Sequence, residues 1–181
     1  PSGAALPYYL GLFSNVSGIV RNLKMQDVDI TASQSHTLIG AVAGNVTSTG
    51  CIEYCAVSGA IVNSFAGSAS SDFPYVGGFT GLNKGTIVES YNESNIILKS
   101  ESGEAGGIAG RNGNTGNIEN CYNVGDVGER SGGITYHNEG QIVTSYNVGR
   151  AKYAIANNFS GGTVAKCYYL SGNGAGVAGA A

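Results

Sequence analysis

Four tyrosines recur at one place in a repeated pattern. Tyr91, Tyr122, Tyr146 and Tyr168 each follow a Ser or Cys, namely Ser90, Cys121, Ser145 and Cys167. A file of aromatic rings on one face can stack on sugars or grip a protein partner. It can equally be packing that covers a corner. Phe65 and Phe73 lie in a Ser-, Ala- and Gly-rich insertion over residues 62–74. Projecting loops often carry binding contacts, although insertions of this kind are also tolerated as filler. These six aromatic residues are the ligand-binding candidates.

The remaining reactive side chains point away from catalysis. Cys55, Cys121 and Cys167 share one repeat position with Ser90 and Ser145, so the site reads as selecting size. Copies two apart on a stacked coil lie ~9.6 Å from each other. A disulfide needs Cα atoms within ~7 Å, so these three should not pair. The Cys51–Cys55 spacing matches no strong metal signature. His36 and His137 sit in polar segments beside turns, and no His-Glu-x-x-His helix exists. A Ser-His-Asp set needs only spatial proximity and stays open, but nothing places a Ser on a nucleophile elbow. Asp27 and Asp29 alternate around Val28, which reads as a solvated strand face and is too little for calcium. The expectation is a chain without catalytic residues, metal or cofactor: not an enzyme by itself. A carbohydrate-active alternative needs clustered charge on one face, and charge here is sparse.

Composition supports a β-rich, non-nucleic-acid module. The chain has 181 residues, enough for one domain. Thirty are Gly, far above the usual ~7%, while 42% are hydrophobic and only 12% charged. Val and Ile among the apolar residues argue for a core over a low-complexity coil. Net charge is −3 with no basic block, which argues against nucleic acid. No apolar run approaches the ~18 residues of a membrane helix, so membrane contact is not expected. A Tyr-, Asn-, Gly- and Ser-rich, Lys-poor make-up suits an extracellular protein. A start at Pro1 reads as a piece of a larger multidomain chain.

The pattern itself is a repeat with drifting period. The opening position falls at Gly11, Gly40, Gly77, Gly106, Gly132 and Tyr153, at spacings of 29, 37, 29, 26 and 21 residues. Two residues later stands one large apolar residue: Phe13, Val42, Phe79, Ile108, Ile134 and Ile155. A second apolar column reads Ile19, Ile52, Ile87, Ile118, Ile142 and Val164. Columns of like residues at uneven spacing mean stacked turns with insertions at corners. We therefore expect an all-β, right-handed parallel β-helix or solenoid of about six irregular rungs, two short strands per unit. A β-prism or a sandwich of hairpin repeats is the alternative. Residues 1–170 form the expected domain, and residues 171–181 a Gly/Ala-rich tail or linker. The second strand breaks strict alternation, so a bulge or corner is expected there.

Two smaller patterns follow. Asn83, Asn112, Asn138 and Asn158 fall in register, as do Asn92, Asn123 and Asn147. Exposed turn formers are the ordinary reading; amide ladders along the rod are the other. Thr80 and Thr135 align on a small-residue face that could meet ice.

The three central copies resemble the Glug motif of bacterial surface proteins. That repeat reads roughly Val-Gly-Gly-Leu-Val-Gly, a polar turn with Asn and Gly, then Ile-x-Asn-Cys-Tyr. Val76-Gly77-Gly78-Phe79-Thr80-Gly81 and Ile118-Glu119-Asn120-Cys121-Tyr122 are similar to it. The likeness covers about residues 10–170, with Leu23 in place of Tyr in the first copy. The resemblance implies a secreted, cell-wall or cell-surface location, as in adhesin-like proteins and the non-catalytic region of immunoglobulin A metalloproteases. It implies a spacer or adhesion role, a host glycoprotein or surface glycan as partner, and no catalytic residues.

Overall fold

The computed structural model describes residues 7–67, 74–158 and 161–178. Phe73 lies outside the described residues. The chain winds through six coils of short strands. The first holds β1 (Tyr8–Leu10), β2 (Phe13–Val16), β3 (Ile19–Arg21) and β4 (Lys24–Ala32). The second holds β5 (Thr37–Ile39), β6 (Ala43–Val46), β7 (Cys51–Glu53) and β8 (Ala56–Asn63). The third holds β9 (Tyr75–Gly77), β10 (Thr80–Asn83), β11 (Thr86–Val88), β12 (Tyr91–Asn92) and β13 (Asn95–Leu98). The fourth holds β14 (Glu104–Gly106), β15 (Ala109–Asn112), β16 (Asn117–Glu119) and β17 (Tyr122–Asn123). The fifth holds β18 (Ser131–Gly132), β19 (Thr135–Asn138), β20 (Gln141–Val143) and β21 (Tyr146–Asn147). The sixth holds β22 (Tyr153–Asn158), β23 (Thr163–Ala165) and β24 (Tyr168–Tyr169). A last strand, β25 (Ala175–Ala178), pairs parallel with β22 inside the stretch expected as a tail.

Every named strand pair is parallel, and the strands form three sheets. The expected stacking of coils is therefore present. Each coil has more than the two strands expected. Most of the extra ones in the central coils are two or three residues long, too short to show an alternation in the sequence; β13, at four residues, is the exception. β22 is long enough to pair with both β18 and β19, and so joins two faces into one twelve-stranded sheet.

The core follows the two apolar columns. Ile52, Ile87, Ile118 and Ile142 pair in register and are fully buried. Val42, Phe79, Ile108, Ile134 and Ile155 form a second buried file. Each such side chain contributes roughly 1.5–3 kcal/mol by burial.

The first coil departs from the expected register by one residue. Phe13 pairs with Ala43, and Val20, not Ile19, pairs with Ile52. Phe13 is 42% exposed and Ile19 60%. A one-residue slip turns each side chain to the opposite face. The slip puts Leu23 at the Cys55 position, since Lys24 pairs with Ala56. Leu23 thus replaces Cys, not Tyr. It also puts Asn22 at the corner.

That corner is the break in alternation anticipated after the second column. One residue per coil turns it with a left-handed backbone: Asn22, Tyr54, Glu89, Asn120, Thr144 and Lys166, with φ between 46° and 56°. Asn is among the few non-glycine residues enriched there, which favours the slipped register of the first coil.

The second glycine of each pair stands where the chain bends between two strands, and it serves packing as well. A Cβ at Gly107 would come within 2.3 Å of Asn123 Cγ, and one at Gly133 within 2.3 Å of Asn147 Cγ. Glycine here makes room for a buried asparagine of the same coil.

Candidate functional site

The asparagines are interior, correcting the exposed-turn reading. Asn83, Asn112 and Asn138 are fully buried, as are Asn92, Asn123 and Asn147. Asn112 Nδ2 donates to Asn138 Oδ1 at 2.8 Å, and Asn92 Nδ2 donates to Asn123 Oδ1 at 2.8 Å. Asn123 continues the second ladder to Asn147 Oδ1 at 2.8 Å. Local backbone groups complete them: Asn92 Oδ1 accepts from the Ser94 amide, and Asn123 Nδ2 donates to the Gly125 carbonyl. Thr80 and Thr135 are buried too, with their hydroxyls donating to the Gly44 and Gly110 carbonyls. They offer no face to ice.

The Cys/Ser column does more than fit a small group. Ser90 Oγ donates to the Val88 carbonyl across the left-handed corner and accepts from the Cys55 amide. Ser145 repeats this with Val143 and Cys121. All four cysteines are free thiols. Burial pushes the Cys121 thiol up to about 12.

The four candidate tyrosines come together on the outside. They pair in register from β12 through β24. Tyr91 and Tyr122 stack with ring centroids 4.8 Å apart and planes within 2°, and Tyr122 and Tyr146 repeat the stack at 4.8 Å and 5°. Burial, then the neighbouring Tyr146 and Tyr91, holds the Tyr122 phenol above its ordinary range. Stacked rings cover each other's faces, so the inner part of the file presents edges and hydroxyls. The file opens at its far end. Tyr168 is 72% exposed. A cavity of about 300 Å³ lies there, lined by Tyr146, Val148, Tyr168, Tyr169 and Leu170 together with Asn147. Phe65 does not join this surface. It is half-buried past the end of β8, whereas Tyr91 pairs with Ala56 at the start of that strand.

A second, polar group was not anticipated. His137, expected as an exposed turn residue, has a side chain only 12% exposed. Its Nδ1 lies 3.1 Å from Glu104 Oε1 and its Nε2 3.3 Å from Glu139 Oε1. Arg111 donates to Glu139 Oε1 at 3.0 Å and to the Tyr75 hydroxyl at 3.2 Å. Tyr75 pairs with Glu104, and Arg111 with His137, so the stacking register assembles the group from three coils. The signal available in the sequence was that shared register alone. The two ring nitrogens of His137 address different carboxylates, so these groups do not converge on one metal. Among the described residues no cluster of three or more His, Cys, Asp or Glu is placed to hold one. No helix among them is long and apolar enough to cross a membrane.

Residues 101–128 match a known family model, the GLUG motif. The matched stretch runs from the turn before β14 through β17 to the bridge at Val127. It contains Asn112, Cys121, Tyr122 and Asn123, so the GLUG motif here supplies one coil's share of both asparagine ladders and of the tyrosine file. No curated protein and no solved structure matches the chain.

Proposed function

We propose that this chain is a non-catalytic repeat module of a secreted or surface-anchored bacterial protein, a rigid spacer that also adheres through its tyrosine file. The partner is a host glycoprotein or surface glycan. The observation that carries this reading is the open end of the file, where stacking stops and Tyr146 and Tyr168 flank an apolar cavity. An exposed aromatic pair of this kind suits a sugar ring or an apolar side chain of a partner. Stiffness has its own support. Three parallel sheets and two amide ladders run along the stacking axis, and six coils at ~4.8 Å give a rod roughly 30 Å long. The GLUG match at residues 101–128 is consistent with a repeat module and names no ligand.

A glycan array probed with the wild-type chain and with Tyr168→Ala tests the reading. Binding to a set of glycans that is lost in the variant is the expected result. Binding that is unchanged in the variant, or absent from both glycans and immobilised mucin, would remove the support for an adhesive file.

A further inference from the structure

A second cavity, of about 260 Å³, opens beside the Arg111 network. Its walls include Tyr75, Leu82, Lys84, Arg111, Asn114 and Glu139. We propose that it binds a sugar residue bearing one carboxylate, such as a hexuronate. The assignment does not rest on the tyrosine file, which lies on another sheet.

Size sets the first limit. Sites for drug-sized ligands run ~300–1,000 Å³, so this cavity takes a group about as large as one sugar ring. Charge sets the second. On the cavity wall Lys84 and Arg111 outnumber Glu139 by one; Glu104, the other carboxylate acting on Arg111, is buried behind the wall against His137. A single carboxylate balances that excess.

Preorganisation sets the third. Arg111 uses two of its five donors on Tyr75 and Glu139, which fixes the guanidinium and leaves donors for a ligand. Glu139 is held in turn by His137, and His137 by Glu104, which is only 5% exposed. This chain of contacts reaches from a buried carboxylate to the cavity wall. Glu139 Oε1 accepts from Arg111 and lies 3.3 Å from His137 Nε2; its second oxygen is the acceptor for a sugar hydroxyl, and the Asn114 amide is a donor. Tyr75 and Leu82 supply the apolar side. Arginine suits carboxylates because its fork matches their two oxygens.

Titration of the isotope-labelled chain with methyl glucuronide, followed by amide and guanidinium NMR shifts, tests this. Methyl glucoside and acetate are the controls. The glucuronide is expected to shift Gly113, Asn114 and the Arg111 side chain, and both controls to bind about tenfold more weakly. Lys84→Gln, a change at an exposed position, should weaken the glucuronide by about tenfold, the size of one charge-assisted contact. Tyr168→Ala should leave it unchanged, which separates this site from the adhesive file. Equal binding of glucoside or acetate, indifference to Lys84→Gln, or no shift near Arg111 would overturn the proposal.

Discussion

Asn83 Nδ2 donates to Asn112 Oδ1 at 2.8 Å, with both side chains fully buried. The two residues belong to successive coils and pair in register. Repeated at Asn138, the bond makes a polar spine in an otherwise apolar interior. Such a spine is stable because every member has partners along the stack.

Asn112 stands mid-ladder, so its loss should be felt on both sides. Asn112→Ala takes an acceptor from buried Asn83 Nδ2 and a donor from buried Asn138 Oδ1. Unpaired buried groups cost ~1–3 kcal/mol each. Chemical denaturation should show a loss of about 3 kcal/mol, several times that of an exposed Asn114→Ala.

Thr144 is the least suitable of the corner residues. Its φ is 46°, and a β-branched side chain is strained in the left-handed region. The preceding coil uses Asn120 at the same corner. Thr144→Asn should stabilise the chain by about 1 kcal/mol, seen as a rise in Tm. An equal or lower Tm would show that the corner is not strained.

Cys121 should be inert while the chain is folded. Its thiol is pushed up to about 12 by burial, so almost no thiolate exists at neutral pH. Thiol labelling followed by mass spectrometry should modify the half-buried Cys51 and Cys167 first, and Cys121 only on unfolding.

The polar network should give an acid-sensitive part of stability. Burial raises the Glu139 carboxyl, but the Arg111 charge and the bonds from Arg111 and His137 outweigh it and hold the group below its ordinary value of 4.5. A carboxyl depressed on folding adds stability above its unfolded value and loses it as pH falls through the folded one. Melting curves should therefore decline below about pH 4.5, and Glu139→Gln should flatten part of that decline.

Much of the architecture was legible because stacking puts like residues in files. Ile87, Ile118 and Ile142 mark a column whatever the spacing between them. The first coil was misread because Phe13 and Ile19 are larger apolar residues than Leu12 and Val20. Only the corner geometry at Asn22 favours the slipped register. The asparagine ladders were visible as columns, but their burial was not. Asn is a common turn former, and nothing local says that Gly107 leaves space for Asn123. The polar pocket was hidden for a different reason. Tyr75, Glu104, Arg111, His137 and Glu139 come from three coils, and each alone looks like an ordinary surface residue. The tyrosine file was found, yet its stacking, which hides most ring faces and leaves Tyr168 open, depends on side-chain angles that a sequence does not carry.

The adhesive reading stands or falls with the open end of that file. Affinity of the wild-type chain and of a Tyr146→Ala/Tyr168→Ala variant for the best array glycan, measured beside Tm, tests it most directly. The account predicts at least about a tenfold loss of affinity with Tm nearly unchanged. Equal affinity in a folded variant would contradict it.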